Sequence, residues 1–156
     1  MALLLASEIF IVLPLFYVYR LRQVNLYLPI ILLLMIWASD TGAYFIGKTF
    51  GKKKLAPLIS PKKTYAGLFG ALFGAAMLAL AFGRMIGLDA VESIAVGAGI
   101  GLLGQLGDIF ESIAKRMYRV KDSSNLIPGH GGMLDRIDSL LFSAPFLYHY
   151  LAGFSR

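Results

Sequence analysis

No cysteine occurs in the chain, which excludes a disulfide framework, a thiolate metal site and a cysteine nucleophile. No lysine or arginine precedes Arg20, and no convincing cleavage site follows the first apolar stretch. That stretch lacks the basic flank of a signal peptide and reads as a retained helix. Glu8 within it has no assigned role. Internal repeats, low-complexity tracts and disordered linkers are also missing, so residues 1–156 read as a single domain.

What the chain has in excess is hydrocarbon. Of its 156 residues 58% are hydrophobic, and the mean hydropathy is +0.71. A water-soluble domain of this size cannot hide so many apolar side chains in one core, whereas a bilayer covers the surplus. A spanning helix takes about 20 mostly apolar residues. Five segments qualify: Ala2–Tyr19, Leu26–Gly47, Tyr65–Leu88, Ala90–Ile113 and Ile137–Phe154. The expected fold is all-α, a polytopic transmembrane bundle in which two loops form the site.

Charge orients the bundle. The loops 48–63 and 115–136 hold Lys48, Lys52, Lys53, Lys54, Lys62, Lys63, Lys115, Arg116, Arg119, Lys121 and Arg136, while the other side has Arg20, Arg22, Arg84 and Arg156. The positive-inside rule then makes both long loops cytoplasmic, in a multi-pass protein of the cell membrane. The net charge of +6 is accounted for there. Nucleic acid is a poor partner, because apart from Tyr65 and Tyr118 the basic loops carry no interleaved aromatic platforms.

Gly97, Gly101, Gly104, Asp108, Glu111 and Lys115 follow steps of four and three, so they share one helical face. Small residues there let a neighbouring helix come close, and Asp108 at the end of the stripe is expected to point into the bundle. Gly67, Gly70 and Gly74 repeat the signal one helix earlier. These glycines suit packing within the chain and pairing as a homodimer alike.

Acids cluster at the same membrane face: Asp40, Asp108, Glu111, Asp135 and Asp138. Carboxylates in this setting pair with a cation or relay protons. Asp135 and Asp138 also suit helix capping, and Glu111 is spaced to pair with Lys115. For Asp108 with Asp135, Mg²⁺ is the better reading, since it is usually held by one or two carboxylates plus substrate phosphates. The turn Gly129-His130-Gly131-Gly132 allows backbone N–H groups to approach phosphate. Ser60-Pro61-Lys62-Lys63-Thr64 adds two ammonium groups and a hydroxyl. Phosphate binding and simple contact with anionic headgroups both remain open for those lysines.

In order and spacing these residues resemble the phosphatidate cytidylyltransferase family. The pattern S-x-x-K-R-x4-K-D, then G-H-G-G-x-x-D-R-x-D, is met by Ser112, Lys115, Arg116, Lys121, Asp122, Gly129 to Gly132, Asp135, Arg136 and Asp138. Ser39-Asp40-Thr41-Gly42-Ala43-Tyr44 and the blocks from Gly47-Lys48 to Thr64 resemble it too. The likeness runs from about Trp37 to the C-terminus. Members commonly have further helices before this region, so the chain resembles the catalytic half.

The resemblance implies that CTP and phosphatidate yield CDP-diacylglycerol and pyrophosphate with a divalent metal. It implies a catalytic set of Asp108, Asp135, Lys115 and Arg136. Asp108 and Asp135 would bind Mg²⁺, with Asp138 and Glu111 auxiliary and Asp40 a support or second-cation ligand. Lys115, Arg116, Lys121, His130, Gly131, Gly132 and Arg136 would meet the phosphates of CTP or of phosphatidate in the inner leaflet. Lys62, Lys63 and Thr64 would close over the nucleotide. The rival readings are a CTP-dependent kinase of a polyprenol-type lipid and an ion-conducting membrane protein. A DGxxAR string, expected of an alcohol phosphatidyltransferase, does not occur.

Overall fold

A computed structural model of the chain describes residues 11–117 and 138–154. Among them are five α-helices: α1 (Leu13–Val24), α2 (Leu28–Phe50), α3 (Tyr65–Phe82), α4 (Ala90–Met117) and α5 (Leu140–Phe154). Three segments are long and apolar enough to cross a membrane: Leu28–Phe50, Tyr65–Ile86 and Ala90–Met117. At ~1.5 Å per residue each exceeds the ~30 Å hydrocarbon thickness. As described, α1 has 12 residues and α5 has 15, and both pack on the outside of this trio.

Each boundary has a local cause. α1 runs on to Val24, past the expected end at Tyr19, because Arg20 finds a partner: its Nε and Nη2 donate to the Tyr148 hydroxyl at 3.2 and 2.6 Å. Arg20 and Arg22 are therefore helical residues, not loop residues. α2 opens with Pro29 in its first turn, where a missing N–H costs nothing. Thr64 caps α3, accepting the Gly67 N–H at 3.0 Å. The apolar pattern carried α3 to Leu88, but the α-helix stops at Phe82. A 3-10 turn, Gly83–Ile86, follows, and Gly87 takes a φ of 83°, which side chains with a Cβ resist. A reciprocal box starts α4: the Glu92 N–H donates to Asp89 Oδ1 and the Asp89 N–H to Glu92 Oε2, each at 2.8 Å. α4 continues to Met117, beyond the expected Ile113, because charge ends a membrane span without ending a helix. Lys115 and Arg116 suit its C-terminal dipole. α5 begins at Leu140 rather than Ile137, after a turn at Asp138 and Ser139.

α3 is the central helix, with α2 on one side and α4 on the other. Backbones nearly touch at both seams. A Cβ on Gly70 would collide with the Gly42 carbonyl, and one on Gly101 would lie 2.8 Å from the Ala71 carbonyl oxygen. Gly97 faces Ala75 and Ala76 in the same way. The glycine stripes are thus spent on helix packing within the chain, the dull reading of them. Leu21, Leu28, Leu32, Met35, Ile100 and Leu147 complete a core that ties α1 and α5 to the trio.

One element is unanticipated. Residues 51–64, expected as loop, contain an antiparallel hairpin of β1 (Lys54–Ala56) and β2 (Ser60–Thr64), with Lys54 opposite Thr64 and Ala56 opposite Ser60. Its strands lack apolar alternation, which hid it from pattern reading. Such a small sheet is marginal alone. Here it is anchored where β2 runs into α3 and by Lys63, which reaches α4.

Candidate functional site

The hairpin lies over one end of the α2, α3 and α4 trio and closes a cleft of about 590 Å³, within the ~300–1,000 Å³ usual for small-ligand sites. One wall is a single face of α2: Asp40, Tyr44 and Lys48 recur every four residues and all line the cleft. The Lys48 ammonium donates to the Tyr44 hydroxyl at 3.3 Å. From the hairpin come Lys54, Lys62, Lys63 and Thr64, and from α4 come Gln105 and Asp108.

Lys63 joins the two halves. Its Nζ pairs with Asp108 Oδ2 at 2.5 Å and donates to the Gln105 carbonyl at 3.1 Å. The contact is largely shielded: the Lys63 side chain is 15% exposed and that of Asp108 34%. Lys62 next to it stays exposed. Thr64 carries a duty beyond the expected one, since its hydroxyl oxygen caps α3.

On its other side Asp108 meets α5. The Asp138 carboxyl lies within hydrogen-bonding reach of the Asp108 carboxyl. Two carboxylates this close repel unless they share a proton or a cation. Asp138 is buried, and its Oδ1 accepts the Ser139 N–H at 2.6 Å. Gly107 makes the approach feasible, because a Cβ there would strike the Asp138 carbonyl. Farther along α4, Glu111 is buried with its Oε2 2.7 Å from the Lys115 ammonium, the pairing that their spacing allows. Lys115 and Lys63 both exert Coulombic attraction on Asp108, whereas Arg116 is exposed.

Of the residues singled out from the sequence, the structure therefore brings Asp40, Lys62, Lys63, Thr64 and Asp108 to one cleft and Asp138 against Asp108. Glu111, expected as an auxiliary metal ligand, is held by Lys115. Among the described residues no three acidic or histidine side chains converge as a metal cage. Asp135, Arg136, Lys121, His130, Gly131 and Gly132 lie outside the described residues. Tyr44, Lys48, Lys54 and Gln105 line the cleft without having been singled out as site residues. The four-residue spacing of Asp40, Tyr44 and Lys48 was the available signal for two of them. Nothing in sequence marks Gln105, which contributes a backbone oxygen.

The sequence of residues 1–154 matches the model of the cytidylyltransferase family. A phosphatidate cytidylyltransferase of Bacillus subtilis is 50% identical over 123 residues, covering 78% of this chain and 46% of that protein. Those of Haemophilus influenzae and Staphylococcus aureus are 44% and 40% identical, covering 81% and 94% of this chain and 46% and 57% of theirs. The chain spans about half the length of the curated relatives it matches.

Proposed function

The chain belongs to the cytidylyltransferase family, and from that premise we propose that it forms the catalytic half of a membrane enzyme joining CTP to phosphatidate. The products are CDP-diacylglycerol and pyrophosphate. The observation that carries this reading is the Lys63–Asp108 contact. It sets the cations of the hairpin and an acid from a membrane helix in one cleft, as a triphosphate with its counter-ion requires.

The chemistry asks little proton transfer of the protein. A phosphate monoester has its second ionisation near ~6, so the lipid phosphate is already a nucleophile at neutral pH. One of its oxygens bonds to the α-phosphorus of CTP as the bond to the bridging oxygen breaks. Pyrophosphate leaves with the electron pair. The protein's work is then to position two anions and to offset the charge that builds on the leaving group. Lys54, Lys62 and Lys63 on the hairpin and Lys48 on α2 serve that end. Lys63, poised between Asp108 and the open cleft, can pass from carboxylate to phosphate as the nucleotide enters.

The donors fit a small hard cation. Asp108 and Asp138 come from different segments, offer only oxygen, and press their carboxyl groups together. Mg²⁺ is characteristically held by one or two carboxylates plus phosphate oxygens. Asp108 and Asp138 would hold it, with Asp135 as a further ligand and Asp40 supporting a second cation. When bound, it would withdraw charge from the phosphates. Lys115, Arg116, Lys121, Arg136, His130 and the glycines beside it are the remaining phosphate contacts in this reading.

The cleft opens at the lysine-rich end of the bundle, so the positive-inside rule sets it at the cytoplasmic face with phosphatidate drawn from the inner leaflet. The direct test incubates purified protein in detergent with radiolabelled CTP and phosphatidate. A labelled CDP-lipid with stoichiometric pyrophosphate is expected. Release of CDP with a newly phosphorylated lipid would instead identify a lipid kinase and overturn the proposal.

A further inference from the structure

Several exposed residues of the hairpin and of the chain leading into it do not line the cleft. Lys54, Lys62 and Lys63 line the cleft, whereas Lys52 and Lys53 do not; both are exposed. At the tip Leu58 is 95% exposed, and where the hairpin joins the helices Phe50 is 69% and Tyr65 49% exposed. The Lys53 ammonium sits over the Tyr65 ring, 5.2 Å from its centroid. From Gly51 to Thr64 there is no acidic residue.

Position adds to this. The chain leaves one span at Phe50 and enters the next at Tyr65, so both ends of the hairpin sit at the water boundary. With strands this short, at ~3.3 Å per residue, the tip stays on the order of 10 Å from that boundary. A bare leucine at the tip of a hairpin that carries exposed lysines at its base and no acid of its own matches an interface of acyl chains beneath anionic headgroups.

We propose that the outer face of the hairpin is a membrane foot: Leu58 enters the headgroup–acyl boundary of an anionic leaflet while Lys52 and Lys53 contact its phosphates. The foot fixes the height of the cleft mouth above the lipid. It stands on the exposure and charge of the hairpin and does not depend on the reaction assigned to the cleft.

The lack of cysteine makes the test clean. Leu58→Cys provides a unique attachment point for a nitroxide, and the labelled full chain is reconstituted into vesicles of phosphatidylcholine with or without phosphatidylglycerol. Power saturation then compares the access of oxygen, which concentrates in lipid, with that of a water-soluble nickel chelate. With phosphatidylglycerol, the label is expected to favour oxygen. Lys52→Gln with Lys53→Gln should lower that partitioning on the order of tenfold, as should high salt. A label open to the nickel chelate in both vesicle types overturns the proposal. So does a lipid-like label indifferent to phosphatidylglycerol, salt and both lysines. Turnover enters none of these readings, so failure here leaves the proposed reaction standing, and failure of the reaction leaves the foot standing.

Discussion

Asp108 stands between two unlike neighbourhoods. Toward α2 and the hairpin it faces an open cleft edged by lysines, in which Lys63 holds its Oδ2. Toward α5 it faces a buried acid, Asp138, in a seam so tight that Gly107 has no room for a Cβ. One side is accessible and cationic, suited to a large polyanion that arrives and departs. The other is enclosed and acidic, suited to a small cation held in place. In the proposed reading the same carboxylate would serve both, because α4 passes between them. A magnesium nucleotide, as proposed, would call for such a division, since one side chain type cannot attract both phosphate and metal.

The contrast breaks most completely if the cation is removed. Chelation by EDTA should take CDP-lipid synthesis to background, a loss on the order of a thousandfold or more, and added Mg²⁺ should restore it. Persistence of full activity in EDTA would remove the reason for the acidic side. Asp108→Asn touches both sides at once and should lower turnover about a thousandfold, measured in protein whose thermal unfolding is unchanged. Lys63→Gln attacks only the cationic side. A loss of roughly a hundredfold in kcat/KM for CTP is expected, with partial recovery in Lys63→Arg. Equal rates for Lys63→Gln and the unmodified chain would make Lys63 a packing residue.

Smaller changes sharpen the comparison. Gly107→Ala wedges α4 from Asp138 and leaves the cleft lysines untouched. It should cost about 1–3 kcal/mol of stability and raise the Mg²⁺ needed for half-maximal rate, read from metal titrations. Lys48→Gln, at the outer edge of the cleft, should raise KM for CTP by only about threefold, as expected of an exposed charge.

Much of this was legible beforehand. Apolar runs located the helices, since a span must be about 20 residues of hydrocarbon whatever it packs against. The stripe from Gly97 to Lys115 pointed to close packing with Asp108 on the same face. Errors fell where local chemistry overrides hydropathy: Gly83 and Gly87 ended α3 within an apolar run, and α4 continued through charged residues. The hairpin went unseen because Pro57 and Ser60-Pro61 mark turns without any alternating pattern between them. The four-residue spacing of Glu111 and Lys115 makes their pairing legible in sequence, and the pair forms.

By itself the sequence determined the bilayer as solvent, the approximate spans, and which residue types were available for chemistry, because hydropathy and side-chain ionisation are properties of residues one at a time. Pairings were decided only by the tertiary structure. That Lys63 reaches Asp108 across 45 positions in sequence, about the separation its bond to Gln105 also spans, follows from helix crossings and a hairpin fold. So does the meeting of Asp108 with Asp138. Distance in space depends on how backbones pack, and here glycines in three helices set how closely those backbones approach.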